Sequence, residues 1–203
     1  MEFDWADSRH AFADAAGWFV ATVSAVGDRW NQSGLGEWDV RALVGHTSRS
    51  LLTVEAYLAQ PARAAEIDSP ADYVRATRGI AASPAVAARG RDAGEALGAD
   101  PPAAVADISA RVLPLVDACR GDELVTTIAG GMRMADYLPT RTFELTVHTS
   151  DLAVALGMPL GVPATAAAEA LRLVTDLAVQ DGTAGRLLLG ATGRPVTGGY
   201  SVL

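Results

Sequence analysis

Arg141-Thr142-Phe143-Glu144-Leu145-Thr146-Val147-His148-Thr149-Ser150-Asp151 places four charged or ionisable side chains at helical spacing. Glu144 and His148 are four residues apart, which on a helix puts a carboxylate and an imidazole on one face, one turn apart. Arg141 and Asp151 extend that stripe by three residues in each direction. The rest of the helix is apolar, through Leu138, Phe143, Leu145, Val147, Leu152 and Leu156. A charged stripe with apolar flanks is poorly suited to full solvation. It predicts a helix within a bundle, with its polar stripe turned toward other helices.

Working outward, the chain is rich in alanine and has few alternating β-branched runs, so helix signals dominate. A first helix spans about Asp4 to Val26, with Trp5, Phe12, Ala16, Phe19 and Val23 on one face and Gly27 as its stop. Asn31 to Gly36 reads as a polar link. A second helix starts at Asp39, a capping residue preceded by Trp38 as a hydrophobic staple. Its stripe is Val40, Leu43, Val44, Thr47, Leu51, Val54 and Leu58, and Gln60-Pro61 ends it. Ser69-Pro70 opens a further helix through Tyr73 and Ile80. Pro84 interrupts it, and a short helix follows to Leu97.

After the Asp100-Pro101-Pro102 break, a helix covers about Ala103 to Cys119, with Val105, Ile108, Val112, Leu115 and Val116 inward and a kink at Pro114. Val125 to Ile128 reads as extended before a Gly130-Gly131 turn. The helix of the opening stretch begins near Leu138-Pro139 and stops at Gly157. Pro163 to Val179 is again amphipathic, through Ala167, Leu171, Val174 and Leu177. The glycine-rich tail from Gly182 carries Leu187-Leu188-Leu189 as a short strand or core plug. No internal repeat is evident. The pattern is all-α: an antiparallel four-helix bundle with additional short helices and an irregular C-terminal tail.

Composition narrows the function. The 203 residues suit one domain. Sixteen basic against 24 acidic residues leave a net charge of -8, which argues against nucleic-acid partners and an anionic membrane surface. Neither a signal peptide nor an apolar run of membrane-spanning length is found, so a cytoplasmic location is expected. One cysteine excludes a thiolate metal cluster, and Cys119 itself reads as a buried, inert thiol. His10 lies among charged residues and is expected in solvent. The four tryptophans all fall within the first 38 residues, where helix packing or a pocket wall would use them.

With three histidines in the chain, any histidine-containing metal site uses most of them. Glu144 and His148 supply two ligands, and His46, three residues after inward-facing Leu43, is the best third. Two histidines and one carboxylate leave an open position for water or substrate, the catalytic arrangement. Asp151 can hydrogen-bond the second nitrogen of a ligating histidine. Arg141 can orient a carboxylate through its fork or balance Glu144. The same residues also read blandly. Glu144 and His148 then form an i,i+4 pair worth about 0.2–0.5 kcal/mol, His46 is a satisfied bundle histidine, and Asp151 pairs with a nearby arginine.

Trp38-Asp39-Val40-Arg41-Ala42-Leu43-Val44-Gly45-His46 resembles the N-terminal motif of the mycothiol-dependent maleylpyruvate isomerase-like family. Tyr137 to Asp151 resembles its second signature, with Arg, Glu, His and Asp in place. The resemblance spans roughly residues 5 to 190 and implies a single domain over 1–203, of the DinB-like four-helix-bundle superfamily. It implies a divalent metal, zinc first and nickel or iron also tolerated, held by His46, Glu144 and His148. It implies catalytic roles for Arg141 and Asp151, with Arg141 also contacting a cofactor.

The implied activity is that of a metal-dependent transferase or isomerase using a low-molecular-weight thiol, mycothiol, on a small electrophilic substrate. A homodimer is compatible with this reading. The alternatives are a non-catalytic metal-binding bundle and a metal-dependent hydrolase. The isomerase carries a further C-terminal domain, which the resemblance does not reach here, so maleylpyruvate isomerisation itself is not the expected reaction. Ser150 stands where many relatives carry a bulky aromatic, which implies a different pocket wall.

Overall fold

The computed structural model describes residues 3–81, 85–198 and 200–202. Four long helices make the expected bundle: α1 (Trp5–Ser24), α2 (Val40–Leu58), α5 (Pro101–Asp117) and α6 (Met134–Ala155). Between them lie β1 (Ser33–Leu35) and β2 (Trp38–Asp39), α3 (Pro70–Ala81), α4 (Ala85–Ala96), and β3 (Leu124–Thr127) and β4 (Gly130–Arg133). The helices α7 (Ala164–Gln180) and α8 (Ala184–Ala191) follow. α1 packs on α5 and α6, α2 packs on α5 and α6, and α7 covers the outer side of α1 and α6. Phe12, Phe19, Leu43, Leu51, Tyr137, Leu138 and Leu145 are fully buried between them. Among the described residues no helix is long and apolar enough to cross a membrane.

Local chemistry sets several boundaries as expected. Asp4 caps α1 by accepting from the amides of Ala6 and Asp7, and Asp39 caps α2 by accepting from the Ala42 amide at 2.8 Å. Gly157, at φ +65°, ends α6 in a conformation that side-chain-bearing residues avoid. The extended Val125 region pairs with β4 as an antiparallel hairpin. The expected interruption at Pro84 lies outside the described residues.

Other expectations change. The link at 31–36 contains β1, which pairs with β2 just before α2. α5 begins at Pro101, because prolines in the first turn need no amide partner and Asp100 caps the Ala103 amide. Leu115 on α5 is 39% exposed, and Leu171 on α7 is 63% exposed. The buried stripe of α7 is Ala166, Ala170, Leu173 and Leu177. Leu187–Leu189 are neither strand nor core plug: they lie in α8, with Leu188 and Leu189 exposed. Cys119 is half-buried; its Sγ donates to the Leu115 carbonyl, and burial, with Glu123 nearby, pushes the thiol's pKa up.

The largest boundary correction is α6, which starts four residues before Leu138, at Met134. Its first amides are held from outside the helix. The Met134 amide donates to the Glu123 carbonyl and the Ala135 amide to the Gly121 carbonyl, each at 2.9 Å. Pro139 therefore sits inside the second turn, at the cost of one intrahelical hydrogen bond. The β3–β4 hairpin that precedes α6 is braced by the chain leaving α2: the Ala62 amide donates to the Leu124 carbonyl and the Glu66 amide to the Gly131 carbonyl. These bonds fix the start of α6 relative to the end of α2. Those two helices carry the site.

Candidate metal centre

α2 and α6 face one another across a cavity of about 490 Å³. The α2 wall is built from His46, Arg49, Ser50, Thr53 and Tyr57, successive turns of one helical face. The α6 wall is built from Arg141, Glu144 and His148. Ligand atoms of His46, Glu144 and His148 all lie within 4.8 Å of one another. The stripe of the opening stretch therefore points at the second helix, and His46 is the residue it meets. The His46 and His148 rings meet edge to face with centroids 4.8 Å apart.

The α6 residues are mutually oriented. His148 Nε2 lies 3.2 Å from Glu144 Oε2, and His148 Nδ1 lies 3.0 Å from Asp151 Oδ2. Burial alone would depress the basicity of His148, but hydrogen bonds to Asp151 and Glu144 outweigh it and raise its pKa to about 9. Burial pushes the Glu144 carboxyl up; the His148 hydrogen bond and the Arg141 guanidinium overcome that and hold it at about 2. Glu144 keeps 29% of its side chain accessible and His148 keeps 17%, so both remain reachable from the cavity.

His46 behaves differently. Burial, then repulsion from His148, lowers its pKa to about 4, so its imidazole is neutral at pH 7. Its Nδ1 is buried without a hydrogen-bond partner. Trp38 covers the ring, with centroids 4.4 Å apart, and the Trp38 indole donates to the Ala87 carbonyl of α4 at 3.0 Å. An unsatisfied buried ring nitrogen carries a desolvation cost that a bound group would relieve.

The donor set fits a divalent metal. It comprises one neutral imidazole, one ionised carboxylate and one imidazole whose far nitrogen is held by an aspartate, the arrangement that orients metal-bound histidines. A tetrahedral set at about 2.1 Å from an ion spaces its ligands about 3.4 Å apart. Closing from within 4.8 Å thus needs side-chain adjustments of about an ångström.

Arg141 lies at the base of the cavity. Its guanidinium sits over the rings of Tyr137 and Tyr73, 5.1 and 5.4 Å from their centroids, and its Nε donates to Thr140 Oγ1 at 3.0 Å. Burial pushes the Tyr137 and Tyr73 hydroxyls up in pKa, so both stay neutral beside the cation. The Tyr137 hydroxyl donates to Thr53 Oγ1 of α2 at 2.9 Å, which links the two walls beneath the centre.

Every residue singled out for the site from sequence falls in this one region: His46, Arg141, Glu144 and His148 line the cavity, and Asp151 stands behind His148. Ser150 is the exception. It donates to the Thr146 carbonyl at 2.8 Å and does not line the cavity. His10 is exposed and distant from the site, as expected. Of the tryptophans, Trp38 is the one in the cavity wall. Sequence reasoning did not find Arg49, Tyr137 or Tyr73. Arg49 was findable one turn beyond His46, and Tyr137 one turn before Arg141. Tyr73 comes from α3, and no spacing connects it to either signature.

A family model described as the mycothiol maleylpyruvate isomerase N-terminal domain matches residues 7–153, a span that contains the whole constellation. No curated protein and no solved structure gives a match.

Proposed function

The chain belongs to the mycothiol maleylpyruvate isomerase N-terminal domain family, and from that premise we propose that it is a metal-dependent enzyme that uses a low-molecular-weight thiol on a small electrophilic substrate, by transfer or isomerisation. His46, Glu144 and His148 would hold one divalent metal, with zinc the first candidate. The observation that carries this reading is the meeting of His46 from α2 with Glu144 and His148 from α6 at the wall of an open cavity. Three protein ligands rather than four favour a reactive site over a purely structural one. The chemistry that a divalent metal held by these three residues would supply is a lowered pKa for a bound thiol or water.

The chain's own residues do the rest. Asp151 accepts from His148 Nδ1–H, which fixes the ring and leaves Nε2 directed toward Glu144 and His46. Glu144 stays ionised across the neutral range and so contributes negative charge to the ligand set. Arg141, immobilised between Tyr73 and Tyr137, offers its guanidinium to an anionic group on the thiol or the substrate. Trp38 shields His46 from one side.

Metal analysis of the purified chain beside His46→Ala and Glu144→Ala tests the centre: the wild type retains the ion and both variants lose it. Thiol consumption is then followed with mycothiol, bacillithiol and glutathione against small electrophiles. Retention of equal zinc by all three proteins removes the metal reading. Zinc without thiol consumption, but with hydrolysis of an activated ester, replaces transfer with the hydrolase alternative.

A further inference from the structure

The cavity beside the metal centre is cationic in a chain that is acidic overall. Net charge is -8, yet among the described residues the wall carries Arg49, Arg78, Arg89 and Arg141 against one carboxylate, Glu144. Two of these arginines are already engaged. Arg78 pairs with Asp181 and donates to the Val202 carbonyl at 2.6 Å. Arg141 is held between its two tyrosines, next to Glu144. The guanidiniums of Arg49 and Arg89 make no hydrogen bond or ion pair with any described residue; the one bond at Arg49 is on its backbone carbonyl, which accepts from Thr53 Oγ1. Two guanidiniums without an acidic partner give this concave wall a positive field, which low-dielectric walls concentrate.

Both side chains are carried by elements locked to the metal centre. Arg49 follows His46 by one turn on the same face of α2. Arg89 lies on α4 beside Gly90, where a Cβ would come within 2.6 Å of the Trp38 indole, so the absence of a side chain seats that ring. Trp38 in turn stacks on His46. α4 is also pressed onto α2 at a glycine contact: a Cβ on Gly45 would lie 2.1 Å from the Gly94 amide nitrogen. A guanidinium fork matches the oxygens of a carboxylate or phosphate, and a pair of forks on rigid helices pre-organises such a contact.

We propose that Arg49 and Arg89 form an oxoanion-binding subsite in the cavity wall, so that the molecule accepted at the metal centre carries a carboxylate or phosphate group. This deepens the metal- and thiol-dependent reading and rests on it for the link to chemistry, while the anion contact itself depends only on the two arginines.

The test uses the full chain after metal removal with EDTA, so that no ion can bind the anion in their place. Inorganic phosphate and acetate are titrated separately, with the Trp38 indole and arginine Nε–H resonances followed by NMR. Saturable shifts are expected. Arg49→Gln and Arg89→Gln each weaken binding about tenfold, the loss typical of a charge-assisted contact. Arg63→Gln, at an exposed arginine outside the cavity, leaves it unchanged. The tighter of the two anions identifies the group recognised.

If either glutamine variant does not fold, the corresponding lysine variant keeps the charge, loses the fork and shows a smaller weakening. No saturable binding of either anion, or equal weakening by Arg63→Gln, overturns the subsite. Zinc content of the same variants before EDTA treatment separates the two readings. Anion binding that needs Arg49 and Arg89 in a chain that takes up no zinc sinks the metal reading and leaves the subsite standing. Zinc uptake without anion binding does the reverse.

Discussion

Glu144, half-buried on α6, and Glu169, buried on the neighbouring α7, have carboxyls driven in opposite directions. At Glu144 burial favours the neutral acid, but the His148 hydrogen bond and the charge of Arg141 hold the pKa at about 2. At Glu169, on α7, burial again favours the neutral acid; the Ser8 and Thr142 hydroxyls and the charge of Arg172 do not offset it, and the pKa is raised. Ser8 Oγ donates to Glu169 Oε1, while Oε2 is buried without a partner. Burial is common to both sites. The neighbours decide the direction in which each carboxyl is driven, and the one driven toward the ionised form is the one placed to serve as a metal ligand.

The largest expected effect separates the two by metal content. Glu144→Gln reduces retained metal from about one ion per chain to none, because three ligands fall to two, whereas Glu169→Gln retains the wild-type amount. Atomic absorption on dialysed proteins decides this, and equal loss in both variants would break the contrast. A smaller effect is expected behind the centre. Asp151→Asn keeps the shape but removes the charge that orients His148, which weakens metal affinity about 10–100-fold in competition with a chromophoric chelator. Ser8→Ala leaves that affinity untouched.

Ser8→Ala acts instead on stability. It removes the Ser8 donor from the buried Glu169 carboxyl and costs about 1–3 kcal/mol in urea unfolding at neutral pH. A cost near zero would mean that the neighbouring Thr142 hydroxyl takes over as donor. The smallest effect is a slope. Because the folded pKa of Glu169 is raised, the native state holds this proton more tightly than the unfolded chain does. Its contribution is complete below the unfolded carboxyl value and is lost as pH rises through the folded one. Glu169→Gln removes that dependence. Relative to wild type its Tm is therefore expected to improve as pH rises above the ordinary carboxyl range, and a Tm difference that does not change with pH would contradict a raised folded value at Glu169.

Much of the site was legible because helical spacing is a strong local rule. Glu144, His148, Arg141 and Asp151 lie on one helix, so their common face follows from a period of 3.6 residues. His46 was reachable because Leu43, one turn earlier, marks the inward face of α2. The start of α6 was not legible, because its first amides are bonded to Gly121 and Glu123, carbonyls that a Pro139-centred reading cannot see. The opposite exposures of Leu171 and Leu173 were equally hidden, since the apolar residues of α7 mark more than one face. The tail leucines form a helix rather than a plug because burial depends on what covers a segment, and Leu188 and Leu189 remain exposed.

The sequence by itself determined the all-helical bundle, the cap at Asp39, and the donor types that can meet a metal. These follow from local periodicity and from side-chain chemistry, which travel with the residue. Tertiary structure alone decided that His46 faces Glu144 and His148, that Trp38 seats on His46 through a glycine of α4, and that four arginines from four helices share one cavity. It also decided the direction in which the carboxyls of Glu144 and Glu169 are shifted. Distances between residues remote in sequence, and the field they create, depend on packing, and no spacing along the chain encodes them.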